Sequence, residues 1–131
     1  MTALRLRKKS FYIKAKRFIG VSPQGTPKYA PCVEKVRGEV FIYLDRECAI
    51  YRADHTEDRL RKYDYIAIDV ASGIMICRGS RKIQVLTTLE DKKYANDLLD
   101  YLYNWEHYPF KVKEFEKLKG ETINGKNKIK V

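Results

Sequence analysis

The first two thirds of the chain alternate apolar and polar positions, which predicts β-strands. Between residues 11 and 19, one side of the pattern contains Phe11, Ile13 and Ala15. The other side contains Tyr12, Lys14, Lys16 and Phe18. This is the period of a strand with one buried face. Residues 22–27 contain two prolines and a glycine, and their turn chemistry predicts a surface loop after this strand.

Two hairpins are predicted farther along the chain. Four segments show a strand-like arrangement of apolar side chains: 32–36, 39–44, 63–70 and 74–77. Arg37-Gly38 is expected to join the first two segments, and Ser72-Gly73 the last two. Residues 48–52 are compatible with a further strand, and the densely charged residues 54–62 with a loop or a short surface helix.

The last third of the chain has a helical pattern. Thr87 and Glu90 have the spacing of a capping box. The apolar stripe that follows recurs at helical intervals and consists of Tyr94, Leu98, Tyr101, Leu102 and Trp105. Pro109 is expected to end this helix, and residues 112–118 to form a second one before Gly120. Together the patterns predict one core made of Ile66, Ile68, Val70, Ile74, Ile76, Leu98, Leu102 and Trp105.

Strands followed by helices indicate the α+β class. We expect a mainly antiparallel sheet of about five to seven short strands, with one long and one short C-terminal helix packed on it. A length of 131 residues with no internal linker suits one domain over residues 11–119. Residues 1–10 are expected to form a basic N-terminal arm, and residues 120–131 a flexible basic tail.

Positive charge is concentrated at both ends of the chain. The formal net charge is +10, and residues 1–20 contain seven basic and no acidic side chains. Residues 111–131 contain seven basic and three acidic side chains, whereas residues 90–110 contain two basic and five acidic ones. Clustered cations attract polyanions through their field and through counterion release. The charge distribution therefore favours a phosphate-rich partner, although basic termini also serve as a solubilising surface.

Two groups of cations are candidate phosphate-binding sites. The first follows the N-terminal strand and includes an aromatic ring suited to base stacking; it consists of Arg5, Arg7, Lys8, Lys9, Tyr12, Lys14, Lys16 and Arg17. The second is a basic turn around a glycine and a serine, with Arg78, Arg81 and Lys82. The alternatives are an edge strand whose lysines prevent aggregation and a solvated turn.

A third candidate site is aromatic. Tyr103 and Tyr108 fall off the helical stripe, and tyrosine supplies a large contact area at low entropic cost. We therefore expect these two tyrosines to be candidates for protein binding.

Catalysis is not expected. His55 and His107 are the histidines available to a nuclease or nucleotide-binding alternative, but neither lies in a motif for a nucleophile or a metal. Cys32, Cys48 and Cys77 are widely spaced, which favours reduced, partly buried thiols over a metal site. No cofactor, metal or membrane partner is therefore expected, and without a signal-peptide pattern the expected location is the cytoplasm.

These patterns lead to a hypothesis of a small basic binding protein for nucleic acid or a nucleic-acid–protein complex. Small size, richness in lysine and tyrosine and the lack of a metabolic motif also suit an inhibitor or adaptor from a phage or mobile element, such as an anti-CRISPR-like or other anti-defence protein. The sequence pattern gives no indication of a homo-oligomer.

Overall fold

The computed structural model describes residues 4–54 and 63–129, with side chains described for residues 4–53 and 64–121. Five strands form one antiparallel sheet in sequence order: β1 (Arg7–Val21), β2 (Pro27–Tyr43), β3 (Arg46–Asp54), β4 (Tyr63–Asp69) and β5 (Met75–Gly79). Three α-helices follow: α1 (Lys82–Glu90), α2 (Lys92–Leu98) and α3 (Tyr108–Ile129), with a π-helical turn at Leu99–Tyr103 after α2. The α+β class with an antiparallel sheet is confirmed.

The first predicted hairpin is wrong, because β2 runs without interruption through Arg37-Gly38. The turn lies instead at Leu44-Asp45, where both residues have positive φ, 52° and 61°. Two successive positive φ angles are what a two-residue hairpin turn requires. Arg46 Nη1 donates to the Leu44 carbonyl at 3.0 Å and holds this turn. The second predicted hairpin, at Ser72-Gly73, is confirmed between β4 and β5.

The helices also begin and end at residues other than those predicted. α1 begins at Lys82, so Thr87 lies inside it and does not cap it. The cap of the next helix is Asp91, whose carboxylate accepts from the Tyr94 N–H at 3.0 Å. Pro109 lies in the first turn of α3, where a missing N–H costs nothing. α3 continues through Gly120 to Ile129, where a tail was expected.

Two apolar clusters cover the two faces of the sheet, in place of the single predicted core. One cluster packs strand residues such as Phe41, Cys48 and Ile50 against Val85 and Leu89 of α1. The other consists of Phe11, Val40, Ala49 and Ile68. Successive residues of a strand point to opposite faces, so Ala49 lies on the other face from Cys48 and Ile50.

Trp105 was predicted in the core but is 39% exposed. The π turn accounts for this difference, because it inserts an extra residue into the helical repeat. Its bond runs from the Asn104 N–H to the Leu99 carbonyl at 2.9 Å. Within the turn Tyr103 is buried and Tyr101 is 80% exposed. The helix then ends at Tyr103, so Trp105 lies outside it.

Gly38 is required where β2 passes close to β3. A Cβ atom at this position would lie 2.3 Å from the Ile50 carbonyl oxygen and 3.0 Å from the Phe11 ring. We expect Gly38→Ala to lower the free energy of unfolding by about 1–3 kcal/mol, as overpacked sites do. Urea denaturation measures this change. The control is Gly120→Ala, which meets nothing within 4 Å and should be neutral or stabilising; equal effects of the two variants would contradict the close approach.

None of the helices in the described part of the chain is both long and apolar enough to cross a membrane.

Candidate nucleic-acid interface

The first hairpin extends far beyond the rest of the sheet. β1 pairs with β2 from Arg7–Val40 to Val21–Pro27, but β2 pairs with β3 only over Glu39–Tyr43. Beyond the Glu39–Ile50 pair, β1 and β2 therefore continue as a two-stranded antiparallel ribbon. Its residues 12–35 extend over about 30 Å at the rise of a β-strand. Pro31 lies in this part of β2, consistent with a strand that has one partner, since proline cannot donate to a second.

The register assigns the side chains of the ribbon to its two faces. Residues directly opposite each other share a face. Lys16 is opposite Pro31, and Phe18 is opposite Tyr29. Because alternate residues share a face, Lys14, Lys16 and Phe18 lie on one face and Arg17 on the other. The Phe18 and Tyr29 rings meet edge to face, with centroids 5.9 Å apart.

The outer part of the ribbon, residues 16–31, is here called the ribbon tip. It contains three basic side chains, Lys16, Arg17 and Lys28, and no acidic one. Its large apolar side chains are more than half exposed: Phe18 56%, Ile19 54%, Val21 59% and Tyr29 56%. Within the described part of the chain, Lys16 and Arg17 form no ion pair. The tip thus presents cations and aromatic rings together to solvent.

The base of the ribbon is packed against the helices. The Lys14 ammonium lies 6.0 Å from the centroid of the Phe115 ring, and Val33, opposite Lys14 in the register, is buried. α3 contacts β2. Lys14 is therefore part of the base, and the ribbon tip contains Lys16 and Arg17 from the N-terminal cations predicted by the sequence.

The remaining N-terminal cations are spread over other surfaces. Arg5 and Arg7 line a groove of about 450 Å³ together with Leu4 and Ile42. Lys9 forms an ion pair with Glu47 at 3.3 Å. Lys8 and Tyr12 line two different cavities on the sheet. The structure thus does not bring these residues into one track with the ribbon tip.

The basic turn after β5 makes ion pairs within the protein. Arg78 is paired with Asp64, whose carboxylate is 2% exposed, and Lys82 is paired with Glu39. The backbone N–H of Arg81 donates to the Gln84 side chain at 3.2 Å, at the start of α1. Arg78 and Lys82 thus already have carboxylate partners, which weakens the expectation of a phosphate cradle at this turn.

Tyr103 and Tyr108, the expected protein-binding residues, both donate to the buried carboxylate of Asp69. Burial is the main cause that raises the pKa of both phenols, so they remain protonated donors. Tyr103 is buried, and the Arg46 guanidinium lies 3.8 Å from the centroid of its ring. Packing and the bonds to Asp69 therefore give both rings a role inside the protein.

Within the described residues, the histidine side chain contacts one carboxylate and two aromatic rings. His107 is exposed on the surface beside Trp105 and Phe110, with Nε2 3.4 Å from the Glu106 carboxylate. His55 lies outside the described residues. Among the residues that the structure describes, no group of three or more His, Cys, Asp and Glu side chains is arranged to hold a metal.

The cysteines are free thiols. Burial raises the pKa of Cys48 to about 12 and also raises that of Cys77. Both are therefore protonated, weakly nucleophilic groups at neutral pH.

Sequence reasoning missed Lys28 and Tyr29, which belong to the ribbon tip. Their strand partners are Gly20 and Phe18, so only the β1–β2 register brings them beside the predicted residues. The sequence does contain one indication of this ribbon. Pro27 and Pro31 flank the pair, and prolines are typical of a strand with one unpaired edge.

Comparison with known proteins adds no relative to this picture: no family model, no curated protein and no solved structure matches the chain.

Proposed function

We propose that this protein binds nucleic acid through the ribbon tip and does so without catalysis. The observation that carries the proposal is a tip with three cations and no carboxylate, in which Lys16 shares a face with the exposed Phe18–Tyr29 pair. Cations contact phosphates and release counterions. Exposed aromatic rings stack on unpaired bases, and a two-stranded ribbon has the width that the major groove of duplex DNA admits.

The stability of the ribbon also supports a partner at this position. An isolated two-stranded hairpin is marginal in water, and the tip additionally exposes four large apolar side chains. A ligand that covers these side chains and neutralises the cations would compensate for both costs. Lysines and prolines on an edge strand also discourage aggregation, but that role does not require exposed aromatic rings.

A second candidate is an inhibitor or adaptor, such as a phage or mobile-element protein, that docks on a nucleic-acid–protein complex. Ile19 and Val21 favour it, because aliphatic side chains more than half exposed on the tip gain more from an apolar protein surface than from phosphates. This candidate requires higher affinity for the complex than for either component alone.

Fluorescence anisotropy with labelled single- and double-stranded oligonucleotides tests the first proposal. If the three tip cations each contact a phosphate, the slope of log affinity against log salt should be about −2 to −3. Labelled substrate should remain intact with magnesium or manganese present. Absence of saturable binding at low salt would reject the proposal, and co-purification of a protein complex that persists after nuclease treatment would support the adaptor instead.

A further inference from the structure

A second cation-rich site lies where the ribbon leaves the sheet. β2 separates from β3 after the Glu39–Ile50 pair, while β3 continues beside β4 to Asp54. A cavity of about 360 Å³ occupies this fork. We call it the fork pocket; its lining includes Lys8, Arg37, Glu39, Arg52, Tyr65 and Lys82.

The fork pocket has an excess of positive charge. Among the described lining residues, four are basic and one, Glu39, is acidic. Glu39 is paired with Lys82. In the described part of the chain, Lys8 and Arg37 form no ion pair. Cations that converge on one cavity repel each other, and a bound anion removes that repulsion.

The size of the pocket suits a small ligand. Its volume lies in the range of ordinary small-molecule sites. Arg37 supplies a planar guanidinium group, which binds two phosphate oxygens at once. Tyr65, opposite Arg52 in the β3–β4 register, adds an aromatic wall that a base can stack on.

We propose that the fork pocket binds a small polyphosphate of the size of a nucleoside di- or triphosphate. Lys8 and Arg37 hold its phosphate groups. The site is separate from the ribbon tip and does not depend on the proposed nucleic-acid binding, because none of its lining residues belongs to residues 16–31.

Isothermal titration calorimetry with ATP and with inorganic pyrophosphate tests the proposal, with sodium chloride of equal ionic strength as the reference. Both compounds should bind saturably. Arg37→Ala should weaken binding about ten-fold or more, the loss expected for a charge-assisted contact. Lys35→Ala is the matched control, since Lys35 lies two residues away on the same strand and does not line the pocket; it should change affinity less than about two-fold.

The same phosphate chemistry occurs at the 5′ end of a nucleic-acid strand. A 5′-phosphorylated hexanucleotide and its 5′-hydroxyl counterpart therefore form the second arm of the experiment. If the 5′-phosphorylated strand binds and ATP and pyrophosphate do not, and if Arg37→Ala abolishes this binding, the ligand is a strand end. That result would overturn the free nucleotide as the source of the phosphate. Equal binding by Arg37→Ala and Lys35→Ala would overturn the site itself, and Lys8→Ala on the neighbouring strand repeats the comparison independently.

Failure of this proposal is distinguishable from failure of the proposed function. Loss of Lys16, Arg17 and Lys28 from the ribbon tip should leave ATP binding unchanged. Loss of Arg37 should leave the salt dependence of oligonucleotide binding through the tip unchanged.

Discussion

Replacing Asp69 with alanine is expected to lower the free energy of unfolding by about 3–5 kcal/mol, the range seen when a buried polar network is broken. The Asp69 carboxylate is fully buried. It accepts from the Ser72 hydroxyl at 2.6 Å, from the Ser72 N–H at 3.2 Å and from Tyr103 at 3.3 Å. Tyr108, at the start of α3, donates to it as well.

The large cost follows from the groups left behind. Alanine offers no acceptor, so two phenol hydroxyls and the Ser72 hydroxyl lose a bond in a place that water does not reach freely. The same carboxylate connects the β4–β5 turn to Tyr103 and to Tyr108. Its loss therefore removes contacts between the turn, the π turn and the third helix at once.

Thermal and urea denaturation measure the effect, and the midpoint of thermal unfolding should fall by about 10–20 °C. Asp69→Asn keeps one acceptor and should lose less stability than alanine. The matched control is Asp100→Ala, since Asp100 is exposed; it should stay within about 0.5 kcal/mol of the natural protein. A loss below about 1 kcal/mol in Asp69→Ala would show that the network does not hold these elements together.

Local pattern predicted those parts of the fold that local chemistry determines. The β4–β5 hairpin has Gly73 at a positive φ of 72°, the conformation that glycine favours. Arg37-Gly38 also contains a glycine that is typical of a turn, but this glycine has a different role. Gly38 avoids a clash with the Ile50 carbonyl oxygen. The actual turn, Leu44-Asp45, has only a weak turn signal: aspartate is common in turns, but the pair has no glycine and leucine is rare at positive φ.

The remaining differences depend on contacts between distant residues. The π turn at Leu99–Tyr103 shifts the helical phase, and no spacing of apolar residues predicts such a turn. The sequence correctly placed Lys16 and Phe18 on one face of a strand. It did not show that this strand leaves the sheet, because the length of β2 that pairs with β3 is determined by tertiary contacts. The ribbon tip as a site therefore becomes visible only in the structure.

The triple variant Lys16→Ala, Arg17→Ala, Lys28→Ala is expected to lose most of the salt dependence of nucleic-acid binding. Each lost phosphate contact reduces the slope of log affinity against log salt by about 0.7 on single strands and about 0.9 on duplex DNA. The three substitutions together should thus flatten the slope by about 2–3. Lys16, Arg17 and Lys28 are exposed, so folding should be preserved.

The control for this variant must remove the same net charge elsewhere. Lys92, Lys93 and Lys113 are exposed lysines on α2 and α3, and their replacement with alanine lowers the net charge by the same amount. Since contact and not total charge determines counterion release, this control should keep a slope close to that of the natural protein. If both triple variants flatten the slope of log affinity against log salt equally, binding depends on the net positive charge of the protein and not on contacts at the ribbon tip.

The aromatic pair then determines which form of nucleic acid the tip prefers. Phe18→Ala and Tyr29→Ala should each weaken binding of a single strand by about 5- to 150-fold, the equivalent of 1–3 kcal/mol for a stacked base. Duplex binding should change little, because paired bases offer no free face to these rings. The measurement is fluorescence anisotropy with both oligonucleotides at one salt concentration. If binding of the single strand and binding of the duplex weaken equally, the rings stabilise the ribbon and do not stack on bases. Duplex DNA that binds the ribbon in its groove is then the better-supported ligand.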